Sequence, residues 1–238
     1  MAKLNQMQIY FASFIDTSSP FFLSEVESFH LIKVLRHQIG DIIHLTDGKG
    51  LLVKVQLLNK DTKALLVKYI ETVSFSEAKN GLHIAISPTK NMDRLEWFIE
   101  KACEVGIQEI TPVLFSRTER KKIPLERVQK IVVSASKQSK NLNFCKFNDV
   151  ISFEKFMQQD FENQNVMIAK IGATSKISDL KNEHPDTLIL IGPEGDFTEQ
   201  ELKICEQKSF QPICLSTSIL RVETAGIAAV AQYNILKF

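Results

Sequence analysis

Two segments near the end of the chain carry residue types whose spacing suits ligand chemistry. The first is Gly192-Pro-Glu-Gly195, which follows the apolar run 187–191 and precedes Thr198 and Glu201, a pair with the spacing of a helix-capping box. A glycine-containing loop at the carboxyl end of a parallel strand is where open α/β sheets place ligands. Glycine there lets the backbone approach a ligand closely or adopt a positive φ. The loop therefore predicts a small-molecule site, with a tight structural turn as the alternative.

The second segment places two charged residues directly before an apolar stretch. Arg221 and Glu223 precede a predicted helix, from about residue 224, that is apolar nearly all round and rich in alanine and glycine. Such a helix is expected to be buried. Charges at the edge of a buried element must be paired or must meet a ligand. The pair is thus a catalytic candidate, and an ion pair between the two side chains is the alternative.

Basic residues concentrate in one central segment. Four of the six residues in 117–122 are Lys or Arg, and the predicted helix 124–139 adds more on its polar face. Such a concentration can contact phosphates, or it can be a solvated surface. The whole chain has 29 Lys plus Arg against 28 Asp plus Glu, so any nucleic-acid binding must use local patches.

Composition places the chain among ordinary globular proteins. Of its 238 residues, 44% are hydrophobic and 24% are charged, which excludes a disordered, collagen-like or coiled-coil protein. No apolar run reaches the roughly 18 residues of a membrane span, and no secretory signal is evident. The four cysteines form no C-x-x-C pair, so neither a zinc site nor a disulfide framework is indicated. We expect no metal and a cytoplasmic location.

Periodicity divides the chain in two. Residues 1–75 read as short strands with one short helix, 24–35, and a hairpin turn at Asp47-Gly-Lys-Gly50. The boundary near residue 75 falls in a polar linker, 74–81. From residue 76 to residue 238 strands alternate with helices, which predicts an α/β fold with a mostly parallel sheet covered by helices. The predicted strands of this part are 82–87, 110–115, 166–171, 187–191 and 212–215, and the predicted helices are 92–105, 124–139, 153–160, 198–208 and the final helix from about 224.

The predicted helix 92–105 carries an apolar stripe and, on its opposite face, the only tryptophan, Trp97. An indole on a polar face indicates a second contact, against the small domain or another subunit. The alternative is that long side chains of the same molecule cover it.

Several separated motifs resemble those of the bacterial 16S ribosomal RNA uridine-N3 methyltransferases, members of the SPOUT superfamily. The two C-terminal signatures are Ile191-Gly-Pro-Glu-Gly195 and Ile219-Leu-Arg-Val-Glu-Thr-Ala225. The remaining motifs occur in the family's order and spacing: His30–Arg36, Gly40-Asp41, Lys90–Lys101, Glu104–Gly106, Ser116-Arg117 and Lys137–Ser139. The resemblance extends over the whole chain.

This resemblance implies a PUA-like RNA-binding domain at residues 1–75 and a SPOUT domain with a trefoil knot at residues 76–238. It also implies a homodimer, S-adenosylmethionine as cofactor, and 16S rRNA of the small ribosomal subunit as partner. The implied cofactor-binding residues are Ile191, Gly192, Pro193, Glu194, Gly195, Leu215, Ser216, Ile219, Leu220 and Thr224. The RNA-binding residues predicted from the motifs and basic segments are Lys33, Arg36, Lys90, Arg94, Arg117, Arg120, Lys137 and Lys140.

The sequence departs from the family pattern at four positions. Asp196 stands where many members have glycine, Ser216 and Ser218 replace a common glycine and arginine, and Asn141 lies where a basic residue is frequent. These differences bear on cofactor affinity and RNA contacts.

The implied reaction is methyl transfer from S-adenosylmethionine to N3 of an unpaired uridine. Loss of the N3 proton places negative charge on O2 and O4, which the guanidinium of Arg221 can stabilise. Glu223, or as a second candidate Glu194, can accept the proton. An RNA-binding ribosome-assembly factor of the same fold without turnover is the alternative function, and a SPOUT enzyme acting on another RNA or base atom is a third.

Overall fold

The computed structural model describes residues 7–77, 81–179 and 184–237. By its internal contacts the chain forms two compact units. The first comprises Met1–Ala78 and Ser136–Phe144, and the second comprises Lys79–Ala135 and Cys145–Phe238. The predicted domain division after residue 75 remains a prediction, and residues 78–80 of the predicted linker lie outside the described residues.

The first unit is built on a five-stranded sheet in the order β1-β3-β4-β5-β2. Its strands are β1 (Ile9–Phe11), β2 (Phe21–Phe22), β3 (Ile42–Thr46), β4 (Leu51–Leu57) and β5 (Leu66–Phe75). β1 pairs with β3 in parallel, whereas β3 and β4 form the predicted antiparallel hairpin. The sheet buries alternate side chains of β4, among them Val53, Val55 and Leu57, as expected for a strand with one face in the core.

The predicted helix 24–35 is divided in the structure. Ser24 caps the short helix α1 (Glu25–Phe29), and a π-helical turn, His30–Val34, follows it directly. The turn ends at Leu35, and Arg36 adopts a left-handed conformation with φ of 60°.

A nine-residue segment from the second half of the chain, Ser136–Phe144, belongs to the first unit. Leu142 packs with Ile9 and Leu52 in a small apolar cluster. The backbone N–H of Gly50 donates to the carbonyl of Leu142 (2.9 Å), and the backbone N–H of Phe144 donates to the carbonyl of Gly48 (2.8 Å). Sequence periodicity did not predict this docking, because it is a contact between distant parts of the chain.

The second unit is built on a parallel sheet in the order β12-β10-β11-β6-β7-β8, with β9 also paired to β7. The strands are β6 (Leu82–Ile86), β7 (Glu109–Leu114), β8 (Lys146–Phe147), β9 (Ile151–Ser152), β10 (Gln164–Ala169), β11 (Asp186–Ile191) and β12 (Gln211–Ile213). The helices of the remaining chain are α2 (Met92–Val105), α3 (Leu125–Ser139), α4 (Phe153–Phe156), α5 (Glu199–Gln207) and α6 (Val222–Lys237). The predicted α/β class with a parallel sheet is confirmed.

Helix bounds agree with prediction where an apolar stripe is long. α2 spans the predicted residues, and its stripe of Leu95, Phe98, Ile99, Ala102 and Cys103 is buried. Trp97 on the opposite face is 45% exposed. The predicted helix 153–160 is wrong in length, since only its first turn forms.

The predicted burial of α6 holds for one face only, on which the buried residues are Val222, Glu223, Gly226, Ala229, Val230 and Tyr233. Gly226 lies where an added Cβ would meet the ring of Phe98 at 2.4 Å, so glycine permits α6 to pack closely on α2. Ile235 and Leu236, in contrast, are 74% and 50% exposed. Within the residues described, no helix combines the length and the apolar character that a membrane crossing requires.

Candidate functional site

A cavity of about 310 Å³ lies at the carboxyl edge of the parallel sheet in the second unit. Loops that follow β10, β11 and β12 form its walls together with the start of α6. Its lining residues come from four short stretches: Ala169–Ile171, Ile191–Glu194 with Asp196 and Phe197, Cys214–Ser216, and Ser218–Val222 with Ala225. The volume and the position are those of a small-molecule site in an α/β protein.

Glycine at position 192 serves packing rather than backbone strain. An added Cβ would lie 2.9 Å from the ring of Phe197, which is buried under the loop. Gly192 and Gly195 are not among the residues with positive φ, so of the two predicted roles a close approach of the backbone to a ligand stays a prediction. The left-handed residue of the loop is Asp196, with φ of 62°, and its carboxylate accepts a hydrogen bond from the N–H of Phe197 (2.8 Å). Asp tolerates this conformation better than most residues, which explains how it can occupy a position where many family members have glycine.

Three basic residues predicted to bind RNA hold the loops of this edge together. The guanidinium of Arg117 donates to the carbonyl of Gly195 (Nη1 to O, 2.5 Å), and that of Arg120 donates to the carbonyl of Lys90 (Nη2 to O, 2.7 Å). The backbone N–H of Lys90 donates to Oε1 of Glu194 (3.1 Å). The loops that follow β6, β7 and β11 are therefore connected by hydrogen bonds at the carboxyl edge.

Buried Glu201 connects two of these loops, those that follow β7 and β11. The predicted capping box with Thr198 is confirmed, and Oε1 of Glu201 also accepts from the N–H of Ser116 (2.8 Å). Burial opposes ionisation, but the hydrogen bonds from Ser116 and Thr198 outweigh it and lower the pKa of this carboxyl group. A charged Glu201 thus fixes the segment that carries Arg117 relative to the start of α5.

Arg221 and Glu223 point to different surroundings. Arg221 is exposed and lines the cavity, whereas Glu223 is 7% exposed and lies outside the lining. Oε1 of Glu223 is 3.7 Å from Nε of Arg94 on α2, and Oε2 is buried without a hydrogen-bond partner among the described residues. The ion pair recorded for Glu223 is thus with Arg94, not with Arg221 as the alternative had it.

The structure brings most of the predicted cofactor residues to one cavity. Ile191, Gly192, Pro193, Glu194, Leu215, Ser216, Ile219 and Leu220 line it, whereas Gly195 and Thr224 do not. Sequence reasoning missed Lys170 and Ile171, the last two residues of the predicted strand 166–171, although the carboxyl end of a parallel strand was a sufficient signal.

The remaining predicted RNA-binding residues lie in the first unit. Lys33 and Arg36 are exposed on and after the π-helical turn. Lys137 forms an ion pair with buried Glu27, and Lys140 follows α3 in a left-handed conformation. None of these four residues therefore lines the cavity of the second unit.

The parallel sheet and the cavity at its carboxyl edge define the class: an α/β protein with a small-molecule site formed by the loops after its strands. A family model described as an RNA methyltransferase domain matches residues 76–234. The ribosomal RNA small subunit methyltransferase E of Bacillus subtilis is 31% identical, with 96% of each chain covered. That of Rickettsia conorii is 28% identical, with 96% of this chain and 95% of the relative covered.

Solved structures agree in fold. A probable rRNA-methyltransferase from Porphyromonas gingivalis superposes with a TM-score of 0.89 at 32% identity, covering 97% of this chain and 98% of the other. A ribosomal RNA small subunit methyltransferase E from Neisseria gonorrhoeae, solved with S-adenosylmethionine bound, gives a TM-score of 0.86 at 24% identity with the same coverage. Within this class of α/β proteins, the chain belongs to the ribosomal RNA small subunit methyltransferase E family.

Proposed function

We propose that this protein uses S-adenosylmethionine to methylate N3 of a uridine in the 16S RNA of the small ribosomal subunit. The observation that carries the proposal is the cavity at the carboxyl edge of the sheet, where both C-terminal signatures meet and the guanidinium of Arg221 reaches the lining. Family membership supports RNA methylation, and the motif resemblance supports the uridine and its N3 atom.

The cavity fits the cofactor in charge and shape. S-adenosylmethionine carries a sulfonium, an ammonium and a carboxylate, and the lining offers both signs of charge, with Glu194 and Asp196 against Lys170 and Arg221. Apolar side chains, including Ile191, Leu215 and Leu220, supply a surface for the adenine ring. When bound, the cofactor supplies an electrophilic methyl group.

Two side chains would carry the chemistry on the base. Arg221 would donate hydrogen bonds to O2 or O4 of the uridine as negative charge develops there. Glu223 would accept the N3 proton, and its unpartnered buried Oε2 supports that role, since a buried acceptor without a donor is costly unless a ligand completes it. Glu194 is the second candidate for the base, although its Oε1 already accepts from the N–H of Lys90.

RNA would be held by basic residues of both units. In this proposal the first unit is a PUA-like RNA-binding domain, contributing Lys33, Arg36, Lys137 and Lys140. In the second unit, Lys90, Arg117 and Arg120 would contact RNA phosphates while keeping their hydrogen bonds to the loops. Arg94 would contact a phosphate from its position beside Glu223.

A trefoil knot and a homodimer complete the proposal. α6 follows the edge strand β12, yet it contacts the central strands β6 and β11 and the 3₁₀ turn Ile177–Asp179, which supports a threaded connection. Exposed Trp97, Ile235 and Leu236 support a subunit contact. Sedimentation of the full chain at micromolar concentration should give twice the monomer mass of 27.0 kDa.

Two measurements test the function. Calorimetric titration should show binding of S-adenosylmethionine, whereas a binding-only assembly factor need not take up the cofactor. Mass mapping of 16S RNA nucleosides from cells with and without the gene should then show N3-methyluridine lost on deletion and restored by the wild-type chain. An unchanged N3-methyluridine level on deletion contradicts the proposal, and loss of a different methylated nucleoside would identify another RNA position or base atom.

A further inference from the structure

The first unit contains a second cavity, of about 330 Å³, whose lining includes Lys137 and Lys140, two of the residues proposed above to hold RNA. It is formed by three chain segments, and more than 100 residues separate the second segment from the third. Its lining residues are Met7, Gln8, Ile9 and Tyr10 from the first strand region, His30 and Leu35 from the π-helical turn, and Lys137, Gln138 and Lys140 from the docked segment. This volume also lies in the ~300–1,000 Å³ range of small-molecule sites.

Among the residues that the structure describes, the lining of this cavity has two lysines and no acidic residue. The carboxylate of Glu27 pairs with Lys137 from outside the lining, and Glu27 is 5% exposed. The ammonium of Lys137 also lies 5.8 Å from the centre of the Tyr10 ring. A buried carboxylate and an aromatic ring together restrict the position of this ammonium, which is held at the cavity wall as one half of an ion pair.

The same wall carries aromatic rings and amides. The Tyr10 hydroxyl donates to Oε1 of Gln8 (2.9 Å), and the Tyr10 ring lies 6.4 Å from the ring of His30. Burial, reinforced by the negative charge of Glu27, raises the pKa of Tyr10 and keeps the hydroxyl protonated. His30 and Gln138 are exposed, so an imidazole face and an amide are accessible to a ligand.

The docked segment is fastened well enough to keep its side chains in place. Besides the backbone bonds of Leu142 and Phe144, Nδ2 of Asn143 donates to the carbonyl of Ser76 (3.1 Å). α3 closes with the N–H of Asn141 donating to the carbonyl of Ser136 (3.0 Å), with Lys140 left-handed at φ of 57°. Lys137 and Gln138 thus lie at a helix end that is held by the hydrogen bonds of residues 141–144.

We propose that this cavity binds one unstacked nucleotide of single-stranded RNA. The phosphate lies toward Lys137 and Lys140, the base stacks on His30, and the amide of Gln138 hydrogen-bonds to the base edge. Basic residues beside a stacking surface are the combination that holds single strands. This inference rests on the proposed function for its choice of RNA, and it adds a nucleotide site that shares no residue with the methyl-transfer cavity.

The first test uses nucleotides as probes and the full chain with ¹³C-labelled methyl groups. Uridine, cytidine, adenosine and guanosine 5′-monophosphates are titrated without S-adenosylmethionine, and the methyl signals of Met7 and Leu35 are followed. At least one nucleotide should shift both signals saturably. Ribose 5-phosphate should bind at least about fivefold more weakly than that nucleotide, because it has no base that can stack. Absence of shifts overturns the proposal, and equal binding of ribose 5-phosphate overturns it in favour of a phosphate site alone.

The second test uses RNA. The double variant His30→Ala/Gln138→Ala should bind a fluorescently labelled, unstructured RNA octamer about fivefold more weakly than the wild type does. The matched control His184→Ala/Gln158→Ala changes the same residue types in the second unit and should bind as the wild type does. Equal affinity of the cavity variant and the wild type contradicts the proposal, and saturable binding of an acidic or basic control peptide that displaces the nucleotide would assign the cavity to a protein partner instead.

The two proposals fail separately. Both binding tests omit the methyl donor, so nucleotide binding in the first unit can succeed even when titration with S-adenosylmethionine shows none. Conversely, the methyl signals of Met7 and Leu35 could stay unchanged on nucleotide addition while cofactor binding and methylation are normal. That result would exclude nucleotide binding in this cavity and leave the proposed function intact.

Discussion

The two cavities are of similar size but are assembled in opposite ways. The methyl-transfer cavity is lined by residues 169–225, within a single stretch of the chain, and carries charges of both signs. The cavity of the first unit joins residues 7–10, 30–35 and 137–140, and the formal charges on its described lining are the two lysines, Lys137 and Lys140. A mixed lining suits a zwitterionic small molecule, whereas a cationic lining suits a phosphate. The difference agrees with the two proposed tasks, binding of the methyl donor in one cavity and of an RNA nucleotide in the other.

The largest expected effect tests the chemistry of the mixed-charge cavity. Arg221→Ala should lower kcat for methyl transfer at saturating cofactor by about 100-fold or more, because a directed donor to the developing charge is lost. The matched control is Arg127→Ala, which removes an ion pair with the largely buried Glu96 outside the cavity lining and should change kcat little. Turnover of the Arg221 variant near the wild-type value would assign the stabilising role to another group.

A second prediction concerns acid stability of the second unit. Burial lowers the pKa of His83 on β6 to about 4, against the opposing charge of Glu109. The unfolded chain, with a histidine pKa near 6.5, binds more protons than the native state below that pH. The free energy of unfolding should therefore fall by about 3 kcal/mol between pH 7 and pH 4 through this group.

Urea unfolding followed by the fluorescence of Trp97, which lies in the second unit, measures this loss. His83→Gln removes the titration and should show a correspondingly weaker pH dependence between pH 6.5 and 4. An identical dependence in the variant would show that other groups dominate acid unfolding.

The third prediction tests the fixed cation of the first unit. Lys137→Met leaves Glu27 buried without its counter-ion and should lower the free energy of unfolding by about 2–3 kcal/mol. The double variant Glu27→Gln/Lys137→Met should recover most of that loss, because no unpaired charge remains. Urea titration followed by far-ultraviolet circular dichroism measures both, and failure of the double variant to recover would show that packing matters more than charge.

A smaller effect is expected in the loop after β11. Gly192→Ala places a Cβ against the ring of Phe197 and should lower stability by about 1–2 kcal/mol and weaken cofactor binding several-fold. Gly195→Ala is the matched control, since its Cβ would meet only the flexible stem of Arg117 at 3.2 Å. Calorimetric titration and thermal melts of the two variants should separate them, and equal losses would argue against the packing role of Gly192.

The smallest effect concerns Asp196. Asp196→Ala should cost about 1 kcal/mol, because alanine in a left-handed conformation lacks the local hydrogen bond that the aspartate makes. Asp196→Gly should change the melting temperature little, because two effects offset each other. Glycine adopts the left-handed conformation without strain, but it also raises the conformational entropy of the unfolded chain. A large stabilisation by glycine would show that the aspartate is strained.

The candidate site was predictable from sequence to the extent that it is local. The apolar run of β11, the glycine loop and the Thr198–Glu201 box follow each other directly, so strand, loop and helix could be placed in order. The partner of Glu223 could not, because Arg94 lies more than 100 residues away and its approach depends on how α2 packs on α6. The basic residues 117 and 120 were identified by type, but their hydrogen bonds to the loops arise only when neighbouring parallel strands end at one edge.

By itself the sequence determined the α/β class, the family and the two loops of the methyl-transfer cavity, because periodicity, capping and motif spacing are properties of short segments. Tertiary structure alone decided which distant groups meet. It placed residues 136–144 in the first unit, set Lys137 beside Glu27 and Tyr10, and closed a cationic cavity there. The physical reason is that burying apolar side chains such as Leu142 selects contacts by shape across the whole chain, which no local pattern encodes.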